Sequence, residues 1–349
     1  MSQQPPFQEA TLGSTPIRDL GLTIAGTRLE PTLAEFQNEL ERVGIRRLRP
    51  RFYLSTEWGV PFGSVAIAIP FYLARPDLTA LHAERIGHVE GFNRADILRY
   101  LRHEMGHVVN YAYRLYEEPE WVQRFGPITR PYLEEYHLEP FSPDYVSHLP
   151  GWYAQKHPDE DWAETFAVWM TPGRDWHKTY ARRPQALSKL DYCDRTMAAL
   201  ADRDPVVTAA ELDEDVGDLA YSLEQYYRNL AFEPKDFTPG LDDALRATFE
   251  DLGRPEEGGA GLADRPASAL IRRLERELMA NVYRWTGHFP ERTRLLLRHL
   301  AERADKSGLV YPESSEAQAV VAVTALVTAL AMNHVYRGAY VPERDPKAP

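Results

Sequence analysis

His103-Glu104-Met105-Gly106-His107 is the run of residues in this chain best suited to chemistry. Two histidines four apart on a helix share a face, and both imidazoles can reach one divalent ion. Glu104 between them would lie beside the ion's open position, where it can take a proton from an attacking water. With a third ligand downstream, this pattern points to a zinc hydrolase, first of all a peptidase. Imidazole and carboxylate donors suit zinc, although they also suit other divalent ions.

A hydrolytic zinc site has three protein ligands and keeps a fourth position open. The candidate source of the third is His157-Pro158-Asp159-Glu160-Asp161-Trp162-Ala163-Glu164-Thr165-Phe166-Ala167. Pro158 and Asp159 suit a helix start, and Thr171-Pro172-Gly173 suits its end. Glu160 and Glu164 are four apart and face the same way on that helix. One carboxylate can bind the ion. The other can accept from a ligating histidine and so fix its tautomer. Trp162, Phe166 and Trp169 argue for a mostly buried helix, and buried carboxylates need partners.

The pair of segments RHEMGHVVNYAY and HPDEDWAETFAVWM resembles a bacterial family of zinc-binding metallopeptidases. It is also similar to the active-site helix of the lethal factor type of zincin and, more distantly, to thermolysin-like gluzincins. The resemblance covers about residues 51–197. It implies an α+β, zincin-like catalytic domain with a small mixed sheet beside the active-site helix. It implies one catalytic Zn2+ held by His103, His107 and Glu160, with Glu164 supporting a ligating histidine. The two glutamates could exchange these roles. Tyr153, seven residues before Glu160, holds the place of a tyrosine that points at the metal in lethal factor relatives. Such a tyrosine would donate to the oxyanion of a tetrahedral intermediate, and a packed loop aromatic is the other reading of Tyr153. His137, His148 and His157 lie close in sequence, and none is given a role.

The elements that must position these groups are legible in outline. Asn93 is a good N-cap, Asp96 sits in the favoured first turn, and no proline interrupts residues 93–118. Ile97, Leu98, Leu101, Met105, Val108, Ala112 and Leu115 keep a helical period through the motif. Residues 64–69 are apolar and β-branched and read as a strand. That strand, or 51–54 beside it, is a candidate edge for an extended substrate, or simply a core strand. The proline- and aromatic-rich stretch 117–151 reads as an irregular loop walling the cleft. Thr208-Ala209-Ala210-Glu211 is a capping box, with Leu212, Val216, Leu219, Leu223 and Leu230 at helical spacing behind it. Further helices are expected over 267–283, 290–306 and 313–336, and 254–266 reads as a linker or exposed loop.

Composition bounds the rest. The 349 residues are enough for an N-terminal extension (1–29, poorly ordered at its start), a catalytic domain (30–201) and a helical C-terminal region (202–349). A single cysteine, Cys193, excludes an internal disulfide and fits a reducing, cytoplasmic setting. No secretion signal is expected at the start. The apolar run 319–332 reads as a buried core helix, too short for a membrane span. A net charge of −12 argues against nucleic acid and membrane partners. A peptide or protein substrate is expected, and the C-terminal helices offer a candidate partner surface. The rival readings are a zinc hydrolase of a non-peptide amide and a non-catalytic binding protein stabilised by zinc.

Overall fold

The computed structural model describes residues 12–133, 136, 138–230, 240–250, 252 and 264–341. The first eleven residues, His137 and residues 254–263 of the expected linker thus lie outside the described residues. The chain divides into two compact units, one of residues 1–85 and 89–231, the other of 86–88 and 232–349. Helices dominate and the sheets are small, an arrangement compatible with an α+β chain.

In the first unit, β1 (Arg51–Ser55) and β2 (Ala66–Pro70) pair in parallel, with Arg51 opposite Ala66 and Ser55 opposite Pro70. Every residue of β2 is buried. Ala68 N–H donates to Gly59 O at 2.8 Å, and Leu54 O accepts from Val216 N–H at 2.9 Å. At these positions the chain covers its own strand edges, which favours the core role over an open substrate edge.

Residues 208–216 do not form the helix that the capping box suggests. They run along the strands instead: Val65 N–H donates to Ala209 O, and Ser64 Oγ to Glu211 O. Ala210 and Leu212 pack on Tyr53, Ala66 and Ala68. Tertiary hydrogen bonding and burial override the local signal here. A helix begins only at Leu223 and ends at Asn229, capped by the Ser222 side chain.

The motif helix spans Arg94–Tyr113, and Asn93 Oδ1 accepts from Asp96 N–H at 3.0 Å as an N-cap should. It stops short of residue 118 because Arg114 turns left-handed, at φ +54°. The stretch expected to be wholly irregular starts with a short helix, Pro119–Phe125, which uses Pro119 in its first turn.

The second site helix, Pro158–Met170, is buried along nearly its whole length. Its N-cap is His157, whose Nδ1 accepts from Asp159 N–H while Nε2 donates to Arg130 O at 2.8 Å. This helix lies hard against the motif helix. A Cβ added at Gly106 would sit 2.7 Å from Ala163 Cα, so only glycine permits the approach. Trp162 Nε1 seals the contact by donating to Gly106 O at 2.7 Å. Two ion pairs, one part-buried and one buried, tie the helices to their neighbours. Arg102 grips Glu39 with two hydrogen bonds of 2.8 and 2.7 Å, and Lys189 Nζ meets Asp161 Oδ2 at 2.6 Å.

The second unit gathers the helices Gly240–Glu250, Ala267–Arg273, Glu275–Thr286, Pro290–Lys306 and Glu316–Arg337 around an apolar core. An antiparallel pair, β3 (Asp264–Pro266) with β4 (Val310–Pro312), completes it. The helix expected over 267–283 is two helices that meet at Leu274. The run 319–332 belongs to a longer helix that buries Ala319, Val323, Val327 and Leu330. Its other face is open, with Val321 68% exposed. By length and composition alone the stretch Glu313–Arg337 is sufficient to cross a membrane, in contrast to the shorter run seen in the sequence.

Candidate metal centre

The helix spacing does what it promised for the histidines. His103 and His107 project from one face of the motif helix, both buried, with their Nε2 atoms 3.3 Å apart. Glu160, on the first turn of the second helix, brings Oε2 to 2.9 Å from His103 Nε2 and 3.4 Å from His107 Nε2. Four donors at about 2.0–2.1 Å from a zinc ion in a tetrahedron lie about 3.3 Å from one another. Two of the three observed separations match that edge and the third is somewhat shorter. His103, His107 and Glu160 therefore form a buried group able to hold one ion.

Carboxylates also stand behind the imidazoles. Glu164 Oε1 lies 3.0 Å from His103 Nδ1. Its oxygens also accept the backbone N–H groups of His148, at 2.5 Å, and Leu149, at 2.9 and 3.0 Å. Glu164 is fully buried and fully engaged. Asp159 Oδ2 lies 3.0 Å from His107 Nδ1, out of line for a well-formed hydrogen bond. Asn110 Nδ2, at 2.6 Å, and the Tyr111 hydroxyl both donate to Asp159. A carboxylate at Nδ1 favours the tautomer whose Nε2 lone pair faces the ion.

Electrostatics agree with a cation site. Burial opposes charge on both histidines, yet their carboxylate neighbours prevail. Glu160 and Glu164 hold His103 up at about 9, and Asp159 and Glu160 raise His107 well above its usual range. Burial likewise works against ionised Glu160, and the histidines outweigh it and keep its carboxyl well below the carboxylate range. So many acidic oxygens in a dry place call for positive charge, which a divalent ion would supply. Glu104 is also buried and makes no hydrogen bond among the described residues. Burial pushes its carboxyl up, against the pull of the histidines. A group so placed is suited to holding a proton briefly.

Tyr153 sits on a short turn, Tyr153–Gln155, that leads into the second helix. Its ring centroid is 5.6 Å from that of His103, and its hydroxyl is 3.3 Å from the Tyr132 hydroxyl. Tyr132 donates to Glu160 Oε1 at 2.7 Å. Of the neighbouring histidines, His157 is the helix cap described above. His148 Nε2 bonds Arg99 O at 2.9 Å, and burial pushes its pKa down to about 3. Both are bonded to backbone groups.

Sequence reasoning missed Asp159, Asn110, Tyr111 and Tyr132. Asn110 and Tyr111 follow His107 by three and four residues, so their shared face was readable. Asp159 looked like an ordinary helix-start acid. Tyr132 comes from the irregular loop, where spacing carries no information.

The comparisons with known proteins point the same way. Residues 81–234 match the model of a family described as "Putative zinc-binding metallo-peptidase". That segment contains the whole cluster but leaves out β1 and β2. Neither the curated proteins nor the solved structures give a match.

Proposed function

We propose that this chain, whose residues 81–234 match that family model, is a zinc-dependent peptidase. Its site would hydrolyse a peptide bond with Glu104 as general base. The observation that carries this reading is the convergence of His103 Nε2, His107 Nε2 and Glu160 Oε2, with the buried Glu104 carboxylate on the same helix between the two histidines.

His103, His107 and Glu160 would hold the ion. Zinc, when bound there, supplies Lewis-acid polarisation of a carbonyl and makes water a nucleophile near neutral pH. Glu164 would hold the His103 ring by its Nδ1 side, and the Asp159 carboxylate faces His107 Nδ1. Glu104 takes one proton from the attacking water as its oxygen bonds to the scissile carbon. It then passes that proton to the departing amine nitrogen as the C–N bond breaks. Tyr153, whose ring centroid is 5.6 Å from that of His103, would donate a hydrogen bond to the developing oxyanion. Peptides or proteins are the substrates in this reading. A cytoplasmic setting goes with the lone, buried Cys193.

Glu104→Gln tests it. The variant keeps shape and metal donors and removes only the base. Cleavage of a peptide library should fall by about 10²–10⁴-fold with zinc content unchanged. Turnover at the normal rate by the variant would remove Glu104 from the mechanism.

A further inference from the structure

Tyr132 belongs to the loop before the second helix and is 48% exposed, yet its hydroxyl reaches the innermost part of the site. It donates to Glu160 Oε1 at 2.7 Å. A phenol has one proton to give. Because Tyr132 donates that proton in its hydrogen bond to Glu160, the 3.3 Å contact between the two tyrosine hydroxyls is one in which Tyr153 donates and Tyr132 accepts. The resulting chain runs from Tyr153 through Tyr132 to Glu160. The ammonium of Lys156 lies 4.4 Å over the Tyr132 ring and 5.5 Å from the Tyr153 ring, which holds the two phenols together. Glu160 thus turns Oε2 to the histidines while Oε1 is occupied by Tyr132.

We infer that Tyr132 is a positioning residue that holds Glu160 as a one-oxygen ligand and serves as the resting acceptor for the Tyr153 proton. The inference rests on the zinc reading of the same site. A hydrogen bond to the free oxygen of a ligating carboxylate fixes its rotation and leaves the open position clear. Without it, Oε1 is free to turn inward and compete for that position. Tyr153 would then lose the partner that keeps its hydroxyl beside the reacting carbonyl.

The test compares Tyr132→Phe with Tyr153→Phe in the full chain, reading zinc affinity by competition with a chromogenic chelator. Tyr132→Phe should weaken zinc by roughly ten- to a hundredfold, the usual effect of removing such a partner. Tyr153→Phe should keep wild-type zinc affinity and lose turnover. Melting of the zinc-free proteins provides the fold control, and Tyr132, half exposed on a loop, should leave it unmoved. Wild-type zinc affinity in Tyr132→Phe would overturn the inference and leave the peptidase reading standing. A wild-type chain that binds no zinc would overturn both.

Discussion

At the scale of residues, the centre separates two glutamates that sequence alone could exchange. Glu160 offers Oε2 to both Nε2 atoms, whereas Glu164 spends its oxygens on His103 Nδ1 and on the backbone of His148 and Leu149. Glu164 has nothing left to offer an ion. Glu160→Ala should therefore weaken zinc binding more than Glu164→Ala does, and the latter by about 10–100-fold. Chelator competition on the two variants measures the order, and the reverse order would exchange the roles. Asp159 faces His107 Nδ1 at 3.0 Å, out of line for the hydrogen bond that Glu164 makes to His103, and Asn110 and Tyr111 hold it there.

At the scale of elements, the centre exists because two helices approach more closely than side chains usually allow. Gly106 is the middle of that approach, and its partner is backbone, which cannot yield as a flexible side chain would. Gly106→Ala should destabilise the chain by about 1–3 kcal/mol, the usual range for overpacking. It should also spread the ligands and weaken zinc. Urea unfolding checks the first effect, and unchanged stability would mean that the helices have slack. Both site helices were legible because capping and hydrophobic period agreed with burial: Asn93 and Asp96 for the first, Pro158 and Trp162 for the second. The segment after Thr208 was not, because its capping box competed with strand partners far away in sequence. Tyr132 was illegible for a related reason. An irregular loop places its side chains through long-range contacts that no local pattern encodes.

At the scale of the whole molecule, the first unit carries all the chemistry described, and the family match over residues 81–234 falls almost wholly within it. The second unit has its own core and contains the buried His288, held between Thr293 and Tyr340. Burial pushes His288 down to about 3, so it stays neutral and structural at ordinary pH. In the proposed reading, the first unit holds one zinc ion between its two site helices. Metal content by mass spectrometry on the purified full chain, and on His107→Ala, addresses it most directly. About one zinc per chain is expected in the native protein and little in the variant, since the variant lacks one of three ligands. No zinc in either protein, even after incubation with zinc, would contradict it and leave His103, His107 and Glu160 as a buried ion-pair cluster.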